Sequence, residues 1–82
     1  MKLSDFILLN EEEKKFAVLH LGVLVGKRQL YGQMVFLFQL DSYYVETYCN
    51  WHSKAVEEYR VSDNIRTLSP YLESISLEGL MN

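Results

Sequence analysis

Two runs of aromatic and β-branched residues, broken only by Asp41-Ser42, commit the middle of this chain to a β-hairpin. Residues 31–40 read Tyr-Gly-Gln-Met-Val-Phe-Leu-Phe-Gln-Leu, and residues 43–50 read Tyr-Tyr-Val-Glu-Thr-Tyr-Cys-Asn. Residues of this kind fit a pleated, half-buried surface, and a two-residue polar break between two such runs marks a hairpin turn.

With Asp41-Ser42 as the turn, Leu40 stands opposite Tyr43, Phe38 opposite Val45, Phe36 opposite Thr47 and Met34 opposite Cys49. Side chains alternate along a strand, so these eight share one face. It is almost wholly apolar and is expected to be the core, so truncating Phe36 or Phe38 is expected to cost about 3–5 kcal/mol. The other face carries Gln33, Val35, Leu37 and Gln39 across from Asn50, Tyr48, Glu46 and Tyr44. A slip of one residue would exchange the faces, and the contrast between them holds the register.

The flanks supply helices. Ser4 and Asp5 lead a short apolar segment over residues 3–9. Asn10 with Glu13 three residues on has capping-box spacing, and Glu11, Glu12 and Glu13 suit the positive end of a helix dipole, so a helix runs from here to about Leu21. Its second half is apolar nearly all round, as in a helix packed on a sheet, and Gly22 is placed to end it. Val23-Leu24-Val25 opens the first strand, where Gly26 signals a bulge or a close approach. A bend is expected over residues 29–32.

Residues 51–54 (Trp-His-Ser-Lys) connect to a fourth strand over residues 55–61, whose charges suit a sheet edge. Ser62, Asp63 and Asn64 offer caps for a last helical region. Ser69-Pro70 fits a restart or kink, and Ile65, Leu68, Leu72 and Ile75 form an apolar stripe. Residues 76–82 read as a loose tail. The expected fold is one α+β domain: an N-terminal helix, a four-stranded antiparallel β-meander and a C-terminal helix, in two layers with both helices on the apolar sheet face.

Eighty-two residues bury only roughly 60–65% of their unfolded surface, so the stability margin is thin. The net charge of −3, with no basic cluster beyond Lys14-Lys15 and Lys27-Arg28, supplies little for phosphate neutralisation and argues against nucleic-acid binding. Cys49, the one cysteine, cannot form an internal disulfide, which fits a reducing compartment. The apolar stretch near the N-terminus is too short and interrupted for a signal peptide or a membrane span. A cytoplasmic protein with no membrane association is expected.

The segment Phe36-Leu37-Phe38-Gln39-Leu40-Asp41-Ser42-Tyr43-Tyr44-Val45-Glu46, followed by Pro70-Tyr71-Leu72-Glu73, resembles a family of small uncharacterised bacterial proteins. The resemblance covers most of the chain. It implies a bacterial, cytoplasmic protein and carries no activity with it.

No catalytic residue, cofactor or metal is expected. His20 and His52 are far apart, the cysteine has no partner, and the four glycines form no phosphate loop. Glu46, Glu57 and Glu58 are a conceivable carboxylate group, although solvated edge carboxylates are the commoner arrangement. The aromatic residues carry more. Val35, Leu37, Tyr44, Tyr48 and Trp51 are expected to form a contact patch on the sheet face left bare by the helices. The chain then reads as a non-catalytic interaction module, a homodimer or an accessory subunit, whose partner is a protein or a second copy. The competing cover for that patch is the tail, through Leu77, Leu80 and Met81. The alternative function is a small enzyme or ligand-binding protein with His20, Tyr43 or Cys49 lining a pocket between helix and sheet.

Overall fold

A computed structural model describes residues 1–71 of the chain. The elements are α1 (Leu3–Ile7), α2 (Glu11–Leu21), β1 (Val23–Leu30), β2 (Gln33–Leu40), β3 (Tyr43–Asn50), β4 (Val56–Ser62) and a 3-10 turn (Ile65–Leu68). The strands form one antiparallel sheet in the order β1-β2-β3-β4. The expected α+β class and order of elements therefore hold. Leu72, Ile75, Leu77, Leu80 and Met81, which entered the expected stripe and tail, lie outside the described residues.

Each local signal has a visible cause. Asn10 Oδ1 accepts from the Glu13 backbone N–H at 2.8 Å while Glu13 Oε1 accepts from the Asn10 N–H at 3.0 Å, closing the capping box. The β2–β3 register is the one the turn implies, from Leu40 opposite Tyr43 to Gln33 opposite Asn50. Asp41 takes a positive φ of 50°, which a short polar side chain tolerates better than most. β1 is longer than expected and runs through Leu30, so only Tyr31 and Gly32 form the bend. Gly32 adopts a φ of 78° there.

The sheet has two cores, one on each face. On the Phe36 face, Leu40, Tyr43 and Val45 are buried under Phe6, Ala17 and Val18 of the helices. Lys14 Nζ stands 5.9 Å from the Tyr59 ring of β4, while a Cβ on Gly22, just past the helix end, would meet Phe38 and Leu40 of β2. Thus α2 runs across the strands over their hairpin half. Strands of eight residues span about 26 Å and a helix is only about 10 Å wide, so the described residues leave the other half of this face short of cover. Met34, Phe36 and Cys49 are accordingly half-buried. The expectation that this whole face is core is corrected by that geometry.

On the opposite, Leu37 face, Val35 and Leu37 are 0 % exposed and Tyr48 is 5 % exposed. Tyr71 and Leu68 pack against them. The C-terminal segment therefore crosses to this face instead of joining α2. No long loop is required, because β4 ends at Ser62 on the sheet edge and the 3-10 turn follows three residues later.

Candidate interaction surface

Rows of paired residues build the Leu37 face. One row crosses all four strands as Gly26, Leu37, Glu46 and Arg60, and the next as Arg28, Val35, Tyr48 and Glu58. The glycine leaves a floor bare of side chain, and the Tyr71 ring fills it: a Cβ built on Gly26 would stand 2.9 Å from Tyr71 Cδ1. Gly26 thus meets both readings of a glycine in a strand, since the register also shifts between Leu24 and Gly26.

Tyr71 Oη donates to Glu46 Oε2 at 2.6 Å, and Arg28 Nη2 approaches the same oxygen at 3.4 Å. Tyr48 Oη donates to Glu46 Oε1 at 3.4 Å. Arg28 also lies over the Tyr71 ring at 5.4 Å, and Arg60 over the Tyr48 ring at 4.9 Å. A part-buried carboxylate with a phenol and a guanidinium on it is a satisfied anion, which anchors the ring above it. Burial first, and the hydrogen bond to Glu46 second, hold the Tyr71 phenol protonated well above its ordinary range.

The expected contact patch is therefore not open as proposed from sequence. Val35, Leu37 and Tyr48 are core, Tyr44 packs against them half-buried, and only Trp51 is exposed. Trp51 lies apart in the β3–β4 turn, with Lys54 Nζ 4.7 Å from its ring. The carboxylates also part company. Glu46 faces Arg28 and Tyr71, Glu58 pairs with Arg60 at 2.7 Å, and Glu57 accepts from Gln33 Nε2 at 2.8 Å.

Among the described residues, the open surface is on the other side. A groove of about 430 Å³ runs between α2 and the uncovered half of the Phe36 face. Val18, Leu19 and Lys15 of α2 form one wall, and Leu24, Phe36, Phe38, Cys49, Val56 and Tyr59 form the rest. A shallower depression of about 300 Å³ continues it past Phe36 and Cys49 to Met34, Trp51 and Lys54. The wall is largely apolar; the polar groups its residues carry are the Lys15 amine, the Tyr59 hydroxyl, the Cys49 thiol and the hydroxyl of Thr47, whose Oγ1 is turned to the Phe36 carbonyl at 3.5 Å.

Of the three residues expected to line a pocket, only Cys49 does so. Tyr43 is buried against Phe6, with ring centroids 6.1 Å apart and its hydroxyl unpartnered among the described residues. Its phenol is held protonated by burial, and next by the Asp41 charge. His20 is on the outer side of α2. It stacks on Phe16 at 4.0 Å and donates from Nδ1 to the Phe16 carbonyl at 3.0 Å. Among the described residues, no three His, Cys, Asp or Glu side chains gather as metal ligands, and no helix is long and apolar enough to cross a membrane.

A cleft between helix and sheet entered the sequence expectation only as a ligand pocket, and its apolar extent was not anticipated because two helices were assigned to this face. One sequence signal did point to it: the second half of α2 is apolar nearly all round, with Phe16 and Leu19 beyond what a single sheet covers. No family model, curated protein or solved structure matches the chain.

Proposed function

We propose that this chain is a non-catalytic protein-interaction module, a homodimer or an accessory subunit, and that its contact surface is the groove on the Phe36 face. One observation carries the reading: half of an apolar sheet face and the adjoining flank of α2 lie uncovered by the chain's described residues. Apolar area of this extent, continuous and rimmed by Lys15 and Lys54, favours association over exposure to water. The titratable groups support a non-catalytic role, because Glu46, Glu57 and Glu58 are each spent on a separate structural partner. The single thiol supports a reducing, cytoplasmic setting, and the resemblance noted from sequence favours a bacterial source.

A photo-crosslinking amino acid at Leu24, on the groove, and at Gln39, exposed on the opposite face, tests this in cells. Adducts from position 24 but not from position 39 are expected. Equal adducts from both positions, or none from either, would remove the reading.

A second reading is favoured by the groove's position between helix and sheet: a binding site for a small apolar ligand, with Cys49 on its wall. Ligand sites ordinarily add a few convergent polar groups that fix orientation, and this wall supplies few. Native mass spectrometry of the freshly purified chain separates the two, since a bound small molecule shows as a discrete added mass.

A further inference from the structure

We infer that residues 63–71 form a latch, which opens from the Leu37 face as a unit while the sheet and the helical layer stay folded. The inference goes beyond the proposed contact role and does not depend on it. The segment leaves β4 after Ser62 at one sheet edge, and its Tyr71 ring sits over Gly26 of β1 at the other. It therefore crosses the face from edge to edge, tied by the chain on one side and by a single ring on the other.

Between those ties the segment holds mostly to itself. Asn64 N–H donates to Ser62 Oγ at 3.0 Å, Arg66 N–H to Asn64 Oδ1 at 2.9 Å and Thr67 N–H to the Asn64 carbonyl at 3.0 Å. Ile65 is 70 % exposed, and Leu68 is half-buried. Among the described residues, one hydrogen bond runs from the segment to the sheet beyond Ser62, from Tyr71 Oη to Glu46. Local hydrogen bonds and little buried apolar surface are the marks of an element that opens at less than the cost of global unfolding.

The polar groups under the ring lower the cost of opening. When Tyr71 leaves, Glu46 keeps Arg28 and Tyr48, both on the sheet and each 3.4 Å away. No buried charge is stranded. Arg28 Nε is buried without a partner among the described residues, and opening returns it to water. Releasing α2 offers no such relief, because it would bare Leu40, Tyr43 and Val45 together with Ala17 and Val18. The latch is thus the first of these elements to open, and the bond from Tyr71 to Glu46 is its fastening.

Thiol labelling of Leu37→Cys in a full-length Cys49→Ser chain tests the inference, with Val35→Cys as a second probe of the same floor should Leu37→Cys fold poorly. Both positions are fully buried in the cluster that Tyr71 closes. Labelling without urea is expected to report the latch alone. Its rate should change little with the first additions of urea and climb steeply only near the unfolding transition. Tyr71→Phe removes the bond to Glu46 and keeps the ring, and should raise the rate without urea by about 10-fold. Val18→Ala weakens the α2 core equally in the closed and open-latch forms. It should lower the urea midpoint and leave the rate without urea unchanged. A rate that climbs steeply from the first addition of urea, that Val18→Ala raises in step with the lost global stability, or that Tyr71→Phe leaves unchanged overturns the inference.

Discussion

Replacing Gly26 with alanine tests how the Leu37 face is closed. The backbone at Gly26 does not need a positive φ, so alanine costs nothing there by itself. In an unstrained strand the exchange should stabilise by about 0.5–1 kcal/mol through the unfolded chain. The added methyl, however, would stand 2.9, 3.1 and 3.2 Å from Cδ1, Cγ and Cβ of Tyr71. These are the root of the ring and not a flexible tip, so the whole side chain must withdraw by about half an ångström.

A tyrosine ring buries on the order of 200 Å², and complete ejection would forfeit about 5 kcal/mol at ~25 cal/mol per Å². Partial withdrawal, with the 2.6 Å bond to Glu46 stretched, should cost about 2 kcal/mol net. Urea denaturation followed by circular dichroism measures it. The decisive comparison is the double-mutant cycle with Tyr71→Ala, because with the ring gone Gly26→Ala should turn neutral or stabilising. An equal cost in both backgrounds, or a stabilising effect in the wild type, would refute the placement of Tyr71 over Gly26.

The two faces differ in the cost of truncation. Leu37→Ala should destabilise by about 2–5 kcal/mol, whereas Phe36→Ala, with its ring only partly buried on the groove, should cost less, about 1–2 kcal/mol by chemical denaturation. Alkaline stability reports the buried phenols. The folded chain holds Tyr43, Tyr59 and Tyr71 protonated above their ordinary value, chiefly by burial in each case. Unfolded tyrosines ionise near pH 10, so the stability these groups contribute is complete below that value. It falls as pH rises beyond it, by at most about 1.4 kcal/mol per pH unit for each group. Tyr71→Phe should make that fall shallower in pH-dependent melts, and an unchanged slope would contradict the burial of its hydroxyl.

The hairpin was fully legible in the sequence, down to each cross-strand pair, because alternation and the Asp41-Ser42 turn leave one register that sorts the side chains. The cap at Asn10 was legible for a similar reason: both of its hydrogen bonds are made within three residues. What lies over each face was not legible. Leu68 and Tyr71 can pack on either side of a sheet with equal local propensity, and the deciding contact pairs Gly26 with a residue forty-five positions away. The aromatic content led to an expected contact patch on the Leu37 face. Val35, Leu37 and Tyr48 of that patch are buried instead, since the face with more polar residues is the one Tyr71 closes, by giving Glu46 a donor. The second half of α2 was legible as apolar nearly all round and was expected to lie against the sheet, but Phe16 and Leu19 there are exposed, because one sheet covers only one side of a helix.

Thiol labelling resolved by face tests the central claim, that contact is made through the Phe36 face and not the Leu37 face. Cys49 reports on the groove, and a Cys49→Ser chain carrying Gln39→Cys reports on the opposite face. As protein concentration rises, or as a crosslinked partner is added back, the native labelling rate of Cys49 should fall several-fold while that of Gln39→Cys holds constant. A constant Cys49 rate beside a falling rate at position 39 would contradict the account.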